Sequence, residues 1–183
     1  MVNAKTLLRD VFGFKKFRPG QLEIIDAVAC GENVLAIMPT GGGKSLCFQL
    51  PALLNDGLTV VISPLIALMR DQVRGLKAAG VIAGAITSAN TQEEVDQVFS
   101  QIISGDLKLL YLAPERLVSR KIQNVLSNAN VTSIAVDEAH CVSQWGHDFR
   151  PDYLAIGELR RTLRVPLSAV SYTHLTLPTK QPV

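Results

Sequence analysis

The run Met38-Pro39-Thr40-Gly41-Gly42-Gly43-Lys44-Ser45 constrains this chain more than any other feature. An apolar stretch with the character of a buried strand precedes it at 34–38, and a stretch with helical spacing follows at 44–54. Glycines at a strand-to-helix turn let the backbone curl until successive N–H groups face one point. The helix N-terminus adds the positive end of its dipole there. Such a turn suits phosphate. Thr40, Gly41, Gly42 and Gly43 would line the phosphates, Lys44 would meet the β- and γ-oxygens, and Ser45 would ligate Mg²⁺. The run departs from G-x-x-x-x-G-K-[ST] only where Met38 replaces the first glycine. A glycine-rich turn with a surface lysine is the alternative, and the flanking strand and helix argue against it.

Short apolar runs recur at 34–38, 59–62, 83–86, 109–112 and 134–136, with another at 165–170. Between them lie helical patterns at 44–54, 65–79 and 92–104, and a helix pair within 115–126. Two more patterns, at 5–11 and from Pro19 to a stop at Gly31, precede the first strand. Strands that are apolar throughout and alternate with helices imply a parallel sheet covered on both faces. Right-handed connections then give a doubly wound α/β fold of three layers, α/β/α. With 183 residues, 48% hydrophobic and 19% charged, the chain holds one such domain, read as 1–170.

The formal charge of +2 and pI near 8.5 permit a nucleic-acid partner only through local contacts. Cys30, Cys47 and Cys141 show no C-x-x-C spacing, which excludes the common zinc sites and a disulfide framework. Buried free thiols in a reducing cytoplasm are expected. No signal peptide or membrane span is visible in the pattern, so the expected compartment is cytoplasmic, with no membrane partner.

A phosphate loop needs an acidic partner at another strand end, and Ser133-Ile134-Ala135-Val136-Asp137-Glu138-Ala139-His140 supplies one. Asp137 is placed to hold Mg²⁺, with Glu138 to orient and deprotonate the attacking water. Alone, two adjacent acids could be a solvated strand edge. With the loop they point to nucleoside triphosphate hydrolysis, and Lys44, Asp137 and Glu138 form the expected catalytic set.

The two motifs together resemble superfamily 2 helicases. Phe17-Arg18-Pro19-Gly20-Gln21 and Ser143-Gln144-Trp145-Gly146-His147-Asp148-Phe149-Arg150-Pro151 narrow the resemblance to the RecQ family. The resemblance implies a RecA-like P-loop NTPase domain, with ATP and Mg²⁺ as cofactors and single-stranded and partly duplex DNA as partner. It implies that Phe14 and Arg18 sandwich the adenine while Gln21 bonds its edge. Without it, Phe14 and Phe17 read as core aromatics. It likewise implies backbone DNA contacts at the segments holding Ser63 and Arg70, and at Tyr111-Leu112-Ala113-Pro114-Glu115-Arg116-Leu117. The segment holding Gln144, Trp145, His147, Phe149 and Arg150 is implied to link DNA binding to hydrolysis. On sequence alone the first two segments are ordinary strand-to-helix junctions, with Met69 in the core. His140 and His147 lack ligand spacing for a metal and read as hydrogen-bonding switches, His140 at the nucleotide.

Residues 171–183 have little charge, two prolines and no apolar period. They are expected to be a non-native or disordered tail standing where the family has a Thr-Ala-Thr motif, with the second motor domain missing. The implied whole is an ATP-dependent 3′-to-5′ DNA helicase of recombination and repair, of which this chain binds ATP without unwinding alone. Two alternatives stay open: a motor acting on RNA, and a non-catalytic nucleotide-responsive binding module.

Overall fold

β2 (Leu58–Ile62) and β4 (Leu109–Leu112) are buried at every position, as strands covered on both faces must be. They lie at the centre of one parallel sheet. With them are β1 (Val34–Met38), β3 (Ala83–Ile86), β5 (Val131–Val136) and β6 (Leu167–Tyr172), in the order β1-β6-β5-β2-β4-β3. The computed structural model describes residues 3–39, 41–142 and 151–172. Its helices are α1 (Ala4–Asp10), α2 (Gln21–Ala29), α3 (Leu46–Leu54), α4 (Ile66–Ala78), α5 (Gln92–Ser104), α6 (Arg120–Asn128) and α7 (Pro151–Leu163).

Strand order fixes which helix covers which face. From β1 to β2 and on to β3 the chain moves one way across the sheet, and from β3 to β6 it moves back. Right-handed crossovers therefore put α3 and α4 on one face and α5, α6 and α7 on the other. The packing agrees. Phe48 and Ala52 of α3 and Met69, Val73 and Leu76 of α4 cluster with Val61, Tyr111 and Ala135 of the sheet. Phe99, Ile122 and Ile156, from the other three helices, cluster with Val60, Ile62, Leu110 and Ile134. α1 and α2 add a smaller core of Leu8 and Ile25 against Leu46 and Leu50. Truncating a fully buried residue such as Leu110 to alanine would cost about 2–5 kcal/mol.

Local chemistry sets several boundaries. Thr91 opens α5 with a complete capping box: its hydroxyl accepts from Glu94 N–H, and the Glu94 carboxylate accepts from Thr91 N–H. β5 begins at Val131, earlier than its apolar run suggests, because a bulge against Leu58 and Thr59 lets polar Thr132 and Ser133 into the strand. The expected helix pair is a 3-10 turn at Pro114–Arg116 followed by the single helix α6, Pro114 being suited to such a start. β6 takes in Ser171 and Tyr172, two residues beyond the boundary expected at 170, because Ile37 and Met38 of β1 offer them ladder partners. Of the thiols, Cys47 is buried as expected but Cys30 is exposed, sitting at the C-cap of α2.

Candidate active site

All six strands point the same way, so the loop after β1 and the carboxylates after β5 emerge at one edge of the sheet. β6 lies between those two strands, which places them two spacings apart, roughly 10 Å. A lysine is long enough to cross most of that gap. Lys44 Nζ stands 3.9 Å from Glu138 Oε1, and both side chains are largely shielded from solvent.

The glycines of the loop have different reasons to be there. Gly43 adopts φ +76° hard against the Gln21 amide, while a Cβ on Gly42 would sit 2.8 Å from the Pro39 carbonyl oxygen. The first turn of α2 and the residues before it grip the loop from one side. Gln21 Nε2 donates to the carbonyls of Gly42 (3.1 Å) and Gly43 (3.2 Å), Gln21 Oε1 accepts from Arg18 N–H (2.8 Å), and Arg18 Nη1 donates to the Gly41 carbonyl. In a trans peptide the N–H lies opposite the preceding carbonyl. Anchoring the carbonyls of Gly42 and Gly43 on Gln21 therefore turns the N–H groups of Gly43 and Lys44 the other way. Gln21, expected at an adenine edge, is 3% exposed, and its amide bonds the loop carbonyls.

Asp137 is 2% exposed. Burial and the neighbouring Glu138 charge push its carboxyl up to about 6, against smaller opposing effects of Glu138 N–H, Gln72 and Lys44. Glu138 N–H donates to Asp137 Oδ1 at 3.0 Å, and Gln72 Nε2 lies 3.4 Å from Oδ2. Glu138 itself sits at φ +52°, a left-handed conformation that costs a non-glycine residue about 1–3 kcal/mol. The turn swings its carboxylate off the strand axis, toward Lys44 on one oxygen and His140 on the other. His140 Nδ1 is 3.2 Å from Glu138 Oε2 and 3.4 Å from Ser171 Oγ. Burial holds the His140 imidazole below its usual range; Glu138 opposes that and Lys44 adds to it.

No group of three His, Cys, Asp or Glu side chains among the described residues could hold a metal ion by itself. The donors here are oxygens, from the Asp137 carboxylate and the Ser45 hydroxyl. That sparse hard set fits Mg²⁺, which usually takes one or two carboxylates plus substrate phosphates and water.

Phe14 is 54% exposed, so it is no core aromatic. It forms the shared wall of two openings. One, of about 340 Å³, is also lined by Ser45, Gln49 and Gln72; the other, of about 620 Å³, by Lys15, Phe17 and Arg18. A planar base beside Phe14 would have an aromatic face and the Arg18 guanidinium within the same opening. A larger cavity of about 810 Å³, lined by Arg160, Arg161 and Arg164, lies where β1 and β6 begin. That is the opposite end of the sheet from the loop.

The expected strand-contacting residues fare differently. Ser63, the residue after β2, is 1% exposed, and its N–H bonds the Leu112 carbonyl. Arg70 is exposed and donates to the Ala89 carbonyl at 2.9 Å. Met69 is core, as expected. Thr40, Gln144, Trp145, His147, Phe149 and Arg150 lie outside the described residues. Sequence reasoning gave no role of their own to Gln49 or Gln72 and set Tyr111 in a segment implied to contact DNA; the polar groups of all three meet beneath Asp137. The available signal was an amide among the apolar positions of two helices.

A profile for the family described as DEAD/DEAH box helicase matches residues 18–174. The chain is 49% identical to the ATP-dependent DNA helicase RecQ of Haemophilus influenzae, over 93% of its own length and 28% of that protein. It is 47% identical to the ATP-dependent DNA helicase Q1 of Rattus norvegicus, over 93% of itself and 29% of that protein. It therefore spans less than a third of the length of either relative. Among solved structures it superposes on the DUF1998 helicase MrfA bound to DNA with a TM-score of 0.77, at 18% identity, covering 96% of this chain and 27% of that one. For the Pyrococcus furiosus Hef helicase domain the TM-score is 0.69 at 22% identity, covering 93% and 35%. Likeness at such identities is likeness of fold.

Proposed function

Because this chain belongs to the DEAD/DEAH box helicase family, we propose that it is the first, ATP-binding motor domain of a RecQ-type DNA helicase. The whole protein would couple ATP hydrolysis to 3′-to-5′ movement on single-stranded DNA and to duplex unwinding in recombination and repair, in the cytoplasm. The observation that carries the reading is the approach of Lys44 to Glu138 across the C-terminal edge of the sheet. One is a cation suited to terminal phosphates and the other a carboxylate suited to an attacking water, and they face each other where phosphates and water would meet.

The neighbouring residues support the roles. Gly43 and Lys44 turn their N–H groups away from Gln21 and toward the phosphate side. Glu138 would take the proton of the attacking water, with its second oxygen held by His140. Ser45 and Asp137 would hold Mg²⁺, which when bound neutralises charge building on the phosphate oxygens. Phe14 and Arg18 would stack on the adenine. The segment 144–150 would sense unpaired bases through Trp145 and Phe149, and phosphate through Arg150.

DNA is favoured over RNA by the names of the similar RecQ and Q1 proteins. The test uses a longer protein that contains this chain and its native continuation. Its ATPase should rise with single-stranded DNA and far less with RNA, and Lys44→Ala and Glu138→Gln should each remove it. Equal stimulation by RNA would move the protein to the RNA-acting class. Hydrolysis that survives Glu138→Gln would refute the assignment of the water-activating carboxylate.

A further inference from the structure

Gln72 lies one turn after Met69 and one turn before Leu76, on the face that α4 turns to the sheet. An amide in that position must find partners or destabilise the fold. It finds three. Its Oε1 accepts from Tyr111 O–H at 2.8 Å and from Gln49 Nε2 at 3.2 Å, while its Nε2 faces Asp137 Oδ2 at 3.4 Å. Gln49 Nε2 also donates to Tyr111 Oη at 2.9 Å, closing a triangle of polar groups among buried side chains. The triangle joins α3, which follows Lys44 and Ser45, to α4 and to β4 at the centre of the sheet.

Donor counting fixes the orientation of the Gln72 amide. An ionised Asp137 offers only acceptors, and the Gln49 nitrogen offers only donors. A half-turn of the amide would set oxygen against carboxylate and nitrogen against nitrogen. Two donors converging on Oε1 therefore aim Nε2 at Asp137. At 3.4 Å that contact is long, closer to a guide rail than a strong bond. With Glu138 N–H on Oδ1, each carboxylate oxygen has one protein donor and an acceptor site left over.

We infer that Gln72 is a positioning residue. Held by Gln49 and Tyr111, it sets the Asp137 carboxylate in the orientation that receives the divalent cation accompanying the nucleotide. The inference rests on the ATP- and Mg²⁺-binding reading above.

The experiment measures ADP affinity of the 183-residue chain by calorimetry, in Mg²⁺ and in EDTA, together with melting temperature. The unaltered chain should bind ADP more tightly in Mg²⁺. Gln72→Leu should lose that tightening by about fivefold or more, while metal-free affinity stays within about twofold. Tyr111→Phe, which leaves Gln72 one of its two donors, should lose about half as much on a logarithmic scale. If Gln72→Leu weakens binding equally with and without Mg²⁺, the residue is merely structural and the inference fails. Should that variant not fold, Tyr111→Phe decides, and an unchanged Mg²⁺ effect there overturns the inference. Absence of any Mg²⁺ effect in the unaltered chain would instead strike the metal-site reading itself, and the inference with it.

Discussion

Asp137 is a carboxylate held where ionisation is costly. Its folded pKa of about 6 stands above the usual 3.8, so the folded state binds the proton more tightly than the unfolded state does. Stability from this group is therefore intact below pH 4, falls as pH rises from about 4 to about 6, and stays lowered above that. Asp137→Asn should remove the penalty. In EDTA at pH 7.5 the variant should melt several degrees higher, a gain of about 1–3 kcal/mol, and the gain should shrink toward zero as pH falls to 4. Thermal melts across that range check it; a variant less stable than its parent at pH 7.5 would contradict the burial argument. Gln21 carries a second prediction at this scale. Its amide holds the loop carbonyls, so Gln21→Ala should weaken ATP and GTP alike, by about tenfold, the worth of one or two net hydrogen bonds. A loss confined to ATP would return Gln21 to the adenine edge.

At the scale of elements, most of the fold was legible because each strand is short, holds an apolar run and is separated from the next by a helical period. The α5 start was not singled out, yet Thr91 and Glu94 have the spacing of a capping box. Thr91→Ala should lower the melting temperature by about 2–4 °C, as loss of about 1 kcal/mol implies; an unchanged melt would mean α5 is fixed by packing alone. What the sequence hid has physical reasons. The bulge in β5 admits Thr132, whose polarity broke the apolar pattern. Ser63 was expected in a segment contacting a DNA backbone; it is the residue after β2, and its side chain is packed into the core. Ser171 belongs to β6 and approaches His140, although its own side chain carries no strand signal. That Lys44 and Glu138 would come together was legible, because a phosphate-type loop and an acidic pair each follow an apolar strand of one parallel sheet. The Gln49–Tyr111–Gln72 triangle was not, since nothing in one dimension says that polar groups 23 and 39 residues from Gln72 will meet.

For the whole molecule, the sheet brings the candidate site residues to one open edge. Lys44, Glu138, Asp137 and the Phe14 opening all lie there, within a chain that spans 28% of the Haemophilus influenzae relative. A motor cleft completed by a second domain would add an arginine finger, worth roughly 10³- to 10⁵-fold in rate in other NTPases. This domain by itself should therefore grip ATP and turn it over slowly. Among the described residues no helix is long and apolar enough to cross a membrane.

The central claim is that the loop after β1 is a nucleotide site with Lys44 on the terminal phosphates. The direct measurement is titration of the 183-residue chain with a fluorescent ATP analogue in Mg²⁺, beside Lys44→Ala and a melting control on both. The unaltered chain should show saturable binding, displaced by ATP, and the equally folded variant should bind at least about tenfold more weakly. Binding that Lys44→Ala leaves unchanged, or no binding by the folded parent chain, would contradict the claim.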